Sequence, residues 1–207
     1  MPLVIFMRHG QADNNVNKIL VGRHRESHLT DWGRQQVEDT ARNLKNVLIE
    51  KIYVSPVTRA LETARIVSEL TGITYETDER LYEIEIGNLV GMNYEEIVEK
   101  YGNFFLKFYA EADNALLECG VESFTSVKQR IRDLLDEVVE TQAEKNVLMI
   151  THLDPIKAAI SNLLDLKPEA LYQWQIRNAS LTILKHESRI YSLCGVNVMS
   201  MHRYIND

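Results

Sequence analysis

Two histidines each follow closely on a short apolar run that is typical of a buried strand. His9 comes after the run at residues 3–7, with Arg8 between them, and His152 comes directly after the run at residues 146–151. A neutral imidazole nitrogen is a competent nucleophile toward phosphorus, and covalent catalysis divides one difficult displacement into two easier ones. The pattern therefore indicates phosphoryl-transfer chemistry, with one histidine as nucleophile and the other as a hydrogen-bond donor.

Two arginines accompany the histidines. Arg8 precedes His9, and Arg59 lies at the start of the helix that we predict after a strand at residues 51–55. In open parallel sheets, ligands bind outside the carboxyl ends of the strands, so these side chains are expected at one edge of the sheet. Arginine forks neutralise charge on phosphoryl oxygens, which makes this edge a predicted pocket for a dianionic phosphate.

The alkoxide that leaves in such a reaction needs a proton, which requires a carboxylic acid near the opposite face of the phosphoryl group. Glu83 and Glu85 both precede a turn marked by Gly87 and Gly91. Glu83 is our preferred candidate, but the residues alone do not choose it over Glu85.

The composition excludes some classes of partner. The chain has 207 residues and a formal net charge of −7, which argues against a nucleic-acid partner because binding to a phosphate backbone relies on clustered Lys and Arg. A small anionic substrate stays compatible, since a pocket can be locally cationic. Cys119 and Cys194 lack the spacing of metal ligands, so no metal is expected.

The first apolar run, at residues 3–7, is too short to cross a bilayer and lacks a basic leader or a cleavage site. We therefore expect a cytoplasmic protein without a membrane partner.

Alternating strands and helices predict an α/β fold of three layers, with a mostly parallel central sheet flanked by helices. Apolar residues at helical spacing indicate a helix after Thr30: Val37, Ala41, Leu44 and Leu48. Other helices are predicted at residues 56–70, 123–142 and 154–162, and strands at residues 3–7, 51–55, 73–75, 146–151, 180–185 and 189–196. A single domain over residues 1–207 is expected, with a helical insertion at about 87–123 over the site.

Two further groups of residues have competing interpretations. His24 and His28 lie four apart, but they fall in a polar stretch that predicts a loop rather than a zinc-binding helix. Arg25 is a weaker candidate for contact with an acidic group of the substrate. The aromatic residues of the helical insertion are expected to pack it onto the domain and to line part of a substrate cleft: Tyr94, Tyr101, Phe104, Phe105, Phe108 and Tyr109.

The chain resembles the histidine phosphatase superfamily, also called phosphoglycerate mutase-like. The matching motifs run in family order over residues 3–186: Arg8-His9-Gly10 with Asn15 and Gly22, Leu29-Thr30 with Gly33, Ser55-Pro56-Val57-Thr58-Arg59-Ala60 with Thr63-Ala64, Leu81-Tyr82-Glu83 with Gly87 and Gly91, Thr151-His152 with Asp154-Pro155-Ile156, and Asn178-Ala179-Ser180.

The resemblance implies a role for each matching residue. His9 would accept the phosphoryl group, and Glu83 would serve first as general acid and then as base for water. Auxiliary contacts to phosphate or substrate would come from Asn15, Gly22 and the backbone amide of Leu153. The rest of the phosphate pocket would be formed by Arg8, Arg59 and His152. Such enzymes need no metal or other cofactor and act on a small phosphorylated metabolite; the oligomeric state is not predicted.

Members of this superfamily are phosphatases or mutases, and the residues after Glu83 favour a phosphatase. Mutases resembling this chain carry an Arg-His-Tyr run there, whereas this chain has Ile84-Glu85-Ile86. Position 14 is Asn14 rather than an aromatic residue, and only a short tail at residues 200–207 is left to shield the site from water. Leu153 replaces a frequent glycine and makes the wall near His152 bulkier.

Two alternatives stay open. A phosphoglycerate mutase would use 2,3-bisphosphoglycerate as a primer. A non-catalytic module that binds a phosphorylated ligand would be signalled by a missing nucleophile, arginine or acid, and all three are present.

Overall fold

Six short segments rich in β-branched and aromatic residues form the strands of one central sheet. The computed structural model describes residues 2–24, 26–111, 114–187 and 190–199. The strands are β1 (Leu3–Arg8), β2 (Ile49–Val54), β3 (Tyr75–Thr77), β4 (Asn146–Thr151), β5 (Leu181–Glu187) and β6 (Ile190–Val198). Their order across the sheet is β3-β2-β4-β1-β5-β6.

Parallel pairing prevails in the part of the sheet that carries the predicted site residues. β3 pairs with β2, β2 with β4, and β4 with β1, all in parallel. β5 runs antiparallel to both β1 and β6. The carboxyl ends of β1, β2 and β4 therefore meet at one edge of the sheet.

Helices cover both faces of the sheet. In chain order they are α1 (Asp13–Val16), α2 (Asp31–Leu44), α3 (Thr58–Thr71), α4 (Tyr94–Tyr101), α5 (Phe104–Ala110), α6 (Asn114–Glu118), α7 (Phe124–Thr141), α8 (Leu153–Leu164) and α9 (Pro168–Gln173). Single turns of 3-10 helix are formed by Glu79–Leu81 and Gly87–Leu89.

Alternating side chains of β1 enter two separate hydrophobic clusters. Val4 and Phe6 pack with residues of α7 and α8, whereas Ile5 and Met7 pack with residues of α2 and α3. Successive side chains of a strand point to opposite faces, so this alternation makes three layers. The predicted three-layer α/β fold with a mostly parallel sheet is confirmed.

The helical segment, residues 87–123, lies between β3 and α7 and contains α4, α5 and α6. Its two ends are held together, because the backbone N–H of Asn88 donates to the carbonyl oxygen of Cys119 at 2.8 Å. Its middle helix α5 packs against α9. Because the strands and both helix layers draw on residues from 3 to 198, one domain over residues 1–207 stays our prediction.

Several predicted boundaries were wrong. α2 ends at Leu44, and the side chain of Leu48, which we expected to continue its apolar face, is 76% exposed. The third strand covers Tyr75–Thr77 rather than residues 73–75, because its register is set by pairing with β2. α9 was not predicted, although Pro168 at its first turn is a typical start signal. Residue 189, the predicted start of the last strand, and the tail at 200–207 lie outside the described residues.

Over the part of the chain that the structure describes, no helix combines the length and the apolar character needed to cross a bilayer.

Close backbone contact between the strand end and α2 depends on a glycine. A Cβ atom on Gly33 would lie 1.9 Å from the carbonyl oxygen of Gln11. Gly72, which ends α3 with φ of +78°, has no atom within 4 Å of such a Cβ. Gly33 is therefore required because a side chain would collide with Gln11, whereas Gly72 is favoured only by its positive φ.

We expect Gly33→Ala to lower the free energy of unfolding by about 3 kcal/mol, as overpacking does. The matched control Gly72→Ala should cost only about 1 kcal/mol, the penalty of a left-handed alanine. Urea denaturation of the three proteins measures both values, and equal losses would contradict the close-contact argument.

Candidate active site

The structure brings the ends of three parallel strands together, as the sequence predicted. The backbone N–H of His9, after β1, donates to the carbonyl oxygen of Thr151 in β4 at 2.9 Å. The ring centroids of His9 and His152 are 5.1 Å apart. Nε of Arg59, from the helix after β2, lies 3.2 Å from Nε2 of His9. Two histidines and an arginine thus converge at one edge of the sheet.

The hydrogen bonds of His9 define which of its ring nitrogens carries the proton. Nδ1 lies 2.7 Å from the carbonyl oxygen of Gly10, which can only accept, so Nδ1 is protonated and Nε2 carries a lone pair, which accepts from Nε–H of Arg59. Burial, followed by the charges of Arg59 and Arg8, holds the pKa of His9 well below its usual value. The ring is therefore neutral at physiological pH, with Nε2 as a nucleophilic atom.

His152 is also buried and neutral. Burial lowers its pKa well below the usual value, and the charge of Arg59 lowers it further. Its Nε2 lies 2.8 Å from Oγ of Ser55, while Nδ1 has no hydrogen-bond partner among the described residues. When the Ser55 hydroxyl donates to Nε2, the proton resides on Nδ1. That N–H then can donate to an anion held between the histidines.

Arg59 is a buried cation and Arg8 a half-buried one, and both have hydrogen-bond donors left over. Arg59 donates through Nη2 to the carbonyl oxygen of Gly22 at 3.2 Å, and Arg8 donates through Nη1 to that of Ile176 at 2.5 Å. Nη1 of Arg59 and Nε of Arg8 have no partner in the described part of the chain. Burial lowers the pKa of Arg59 to about 10, so it stays charged. Buried donors of this kind are costly unless an anion accepts from them.

Glu83 and Glu85, which the sequence did not separate, have different surroundings. Glu83 lines the cavity beside the two arginines, and burial together with the charge of Asp154 raises its pKa to about 7. Glu85 accepts hydrogen bonds from His24 and from the backbone of Gly87; although burial opposes them, these contacts lower its pKa. Of the two, only Glu83 lies beside the arginines with a pKa near 7, so that a substantial fraction of it is protonated at neutral pH, as a general acid requires.

A second buried carboxyl group, which the sequence analysis assigned no role, lies beside Glu83. Asp154 forms a side-chain hydrogen bond with Glu83 and accepts another from the hydroxyl of Tyr109 at 2.6 Å. Two carboxyl groups in one buried site share a proton, because both cannot ionise without strong repulsion. The Thr-His-x-Asp-Pro motif contained Asp154, but no sequence signal links it to Tyr109 in the helical segment.

Several of these groups line a cavity of about 270 Å³, which we call the first cavity. Of the predicted site residues, six line it: Arg8, Asn15, Gly22, Arg59, Glu83 and Leu153. Oδ1 of Asn15 accepts from the backbone N–H of Ala12 at 3.0 Å and from Nδ2 of Asn178 at 3.3 Å. The Asn15 amide is thus fixed at the rim.

The aromatic residues of the helical segment divide between the two expected positions. Tyr94 and Phe105 line the first cavity, while Phe104, Phe108 and Tyr109 are buried in the hydrophobic core. The segment therefore both packs on the sheet and forms part of the cavity wall.

The two histidines at a four-residue spacing bind separate carboxylates. His24 pairs with Glu85, and Nδ1 of His28 lies 2.8 Å from Oε1 of Glu62. Within the described ranges, no cluster of three or more His, Cys, Asp or Glu side chains is arranged to hold a metal ion. Arg25 lies outside the described residues.

The sequence profile of the histidine phosphatase superfamily (branch 1) matches residues 4–198. The chain belongs to this superfamily. The match covers the three strand ends and the late motif around His152, so the predicted resemblance is confirmed.

Relatives of both enzymatic types are similar to this chain. The 2,3-bisphosphoglycerate-dependent phosphoglycerate mutase of Thermoplasma acidophilum is 33% identical, over 100% of this chain and 99% of the relative. Phosphoserine phosphatase 1 of Hydrogenobacter thermophilus is 27% identical, over 96% and 93%. The structure of a mycobacterial glucosyl-3-phosphoglycerate phosphatase with VO3 superposes with a TM-score of 0.82 and 26% identity, over 96% of this chain and 100% of that one. An enzyme of phosphoryl transfer is supported, without a choice between the types.

Replacing Asp154 tests the cause of the raised pKa of Glu83. Asp154→Asn keeps an acceptor for Tyr109 but removes the negative charge, so we expect the pKa of Glu83 to fall from about 7. The carboxyl carbon chemical shift of Glu83, followed by NMR during a pH titration, measures this change. An unchanged or higher pKa would show that Asp154 is not a cause of the elevation.

Proposed function

We propose that the protein is a phosphomonoester hydrolase that transfers the phosphoryl group of a small metabolite to His9 and then to water, without a metal. The observation that carries this proposal is the state of His9. Its Nδ1 proton is bonded to the Gly10 carbonyl, which leaves the Nε2 lone pair beside the buried guanidinium of Arg59.

In the first step, Nε2 of His9 attacks phosphorus and the ester P–O bond breaks. The electron pair of that bond goes to the leaving oxygen, which takes the proton of Glu83. As the P–N bond forms, the Arg59 Nε–H that donates to Nε2 changes its acceptor and donates to a phosphoryl oxygen instead. Negative charge on the phosphoryl oxygens is stabilised by the otherwise unpaired donors of Arg8, Arg59 and His152.

In the second step, water attacks the phosphohistidine. The Glu83 carboxylate takes a proton from the water, the P–N bond breaks, and its electron pair returns to His9. Inorganic phosphate leaves and Glu83 is again an acid. A pKa near 7 suits a group that must act in both directions, because neither protonation state is then rare at neutral pH.

The wall of the first cavity supports a phosphatase over a mutase. Ile84 and Ile86 line this cavity where the resembling mutases carry charged or polar residues, and the Glu85 carboxylate between them is bonded to His24. Positions 84 and 86 therefore offer no cation to a phosphoglycerate carboxylate.

A phosphoglycerate mutase is the second candidate. It is favoured by the 33% identity to the mutase of Thermoplasma acidophilum, which extends over 100% of this chain and 99% of the relative.

The direct test of the proposal uses p-nitrophenyl phosphate in the presence of a metal chelator. We expect phosphate release that the chelator does not reduce and that His9→Ala abolishes, because the covalent intermediate cannot form. His24→Ala, which changes an exposed histidine, is the matched control and should retain activity. Activity that survives His9→Ala would overturn the assignment of the nucleophile.

The two neighbouring glutamates provide a test of the general acid. Since Glu83 donates as an acid with a pKa of about 7, kcat/KM should fall as the pH rises through that value. Glu83→Gln should reduce kcat by about 10²–10⁴-fold and remove this fall. Glu85→Gln should preserve both the rate and the pH profile. Equal losses in the two variants, measured over pH 5–9, would contradict the assignment.

Offering 3-phosphoglycerate with and without 2,3-bisphosphoglycerate separates hydrolase from mutase. We expect phosphate release that does not need the bisphosphate, since water reaches the phosphohistidine. The products are measured by coupled assays for phosphate and for 2-phosphoglycerate. Formation of 2-phosphoglycerate that depends on the bisphosphate and outpaces phosphate release would show a mutase.

A further inference from the structure

A second cavity, of about 290 Å³, adjoins the first. Three residues line both cavities: Arg8, Phe105 and Leu153. Leu153 and Phe105 therefore form a partition, and Arg8 is accessible from either side. Beyond this partition the second cavity is lined by residues of α8 and by the chain around α9, among them Lys157, Tyr172, Trp174 and Arg177.

Lys157 is a buried cation that the mechanism does not use. Its residue is only 3% exposed, and its ammonium lies 4.7 Å from the centroid of the Tyr109 ring. Among the described residues, the ammonium makes no hydrogen bond or ion pair, although it carries three donors. The cation–π contact and the charges of Asp154 and Glu83 compensate this ammonium only in part for the loss of water, because burial still lowers its pKa.

The position of Lys157 on α8 relates it to the phosphoryl site. It lies one turn after Leu153, about 6 Å along the helix axis. Helical side chains lean back toward the amino terminus, and α8 begins directly after His152. The ammonium is thus directed toward the catalytic edge, on the side of the partition away from Ile84 and Ile86.

The carboxylate on the same helix is already bonded elsewhere. Asp154 accepts from Tyr109 and shares a hydrogen bond with Glu83, and it lines the first cavity rather than the second. Lys157, Arg8 and Arg177 therefore make the second cavity cationic.

We propose that the second cavity binds a second anionic group of the substrate, with Lys157 as its principal contact. The substrate is then a phosphomonoester whose leaving alcohol carries a carboxylate or a further phosphate. This inference rests on the proposed function, because it places the scissile phosphoryl group at His9. Tyr172 and Trp174 supply apolar surface for the carbon chain between the two acid groups.

The ionisation of Lys157 agrees with this role. Burial lowers its pKa to about 8, so the ammonium is still mostly charged at neutral pH. A bound anion would replace the hydration that burial removes.

Binding to a protein that cannot turn over tests the second anion site. In a His9→Ala background, calorimetry at pH 7 compares 3-phosphoglycerate with glycerol 3-phosphate, which differ only by a carboxylate in place of a hydroxymethyl group. We expect the carboxylate compound to bind at least about tenfold more tightly, as a charge-assisted pair allows. Glycerol 1,3-bisphosphate in a third titration shows whether a second phosphate is preferred to a carboxylate.

Lys157→Gln, added to the same background, should reduce the preference for the carboxylate compound to about twofold or less. Lys128→Gln is the matched control, because Lys128 also lies over an aromatic ring, that of Phe124, but lines neither cavity. It should leave the preference unchanged. Should Lys157→Gln fail to fold by circular dichroism, Arg177→Gln at the exposed end of the cavity should reduce the preference by a smaller factor.

The second anion site would be overturned if the two compounds bound the His9→Ala protein with equal dissociation constants. It would also be overturned if Lys157→Gln left their ratio unchanged. A variant that weakens both compounds equally would give Lys157 a structural role and would also overturn it. The proposed function would fail in a different experiment: p-nitrophenyl phosphate would not be hydrolysed, or its hydrolysis would survive His9→Ala.

Discussion

The contact between the buried guanidinium of Arg59 and the neutral ring of His9 is the interaction on which the rest of the site depends. A buried cation next to an imidazole disfavours a second positive charge, so burial and Arg59 together keep the His9 ring neutral. The same guanidinium retains an unpaired N–H at Nη1. One arrangement therefore combines an unprotonated ring nitrogen on His9 with an unpaired donor on Arg59.

Keeping this pair in place requires that the backbone around His9 be fixed. The carbonyl oxygen of His9 accepts from the backbone N–H of Ala179 at 3.1 Å and from Nδ2 of Asn178 at 3.1 Å. The N–H of Gly10 donates to Oγ1 of Thr63, whose hydroxyl donates to the carbonyl oxygen of Arg59. Residues distant in the sequence thus hold His9 and Arg59 as one unit, which explains why the matching motifs extend over nearly the whole chain.

The fold and the superfamily could be predicted from the sequence because their signals are local. The continuous apolar runs of β1 and β4 report burial on both faces, and each ends in a residue that is costly in a core. The roles of Arg8, His9, Arg59, Glu83 and His152 stay predictions, although the structure brings their side chains together. Helix ends such as Leu44, and the pairing register of Tyr75, depend on tertiary contacts that no short window of sequence contains.

The buried acids show why the remainder of the site could not be predicted. Asp154 and Lys157 lie on one helix, but their partner Tyr109 belongs to the helical segment, and only the fold places its hydroxyl against Asp154. Because Glu83 and Asp154 share a proton, the pair carries one negative charge, against the three positive charges of Arg8, Arg59 and Lys157. The site is therefore left with an excess of positive charge inside a chain that is acidic as a whole. An excess of this kind favours anionic ligands over neutral ones, because the carboxyl pair neutralises only part of the buried positive charge.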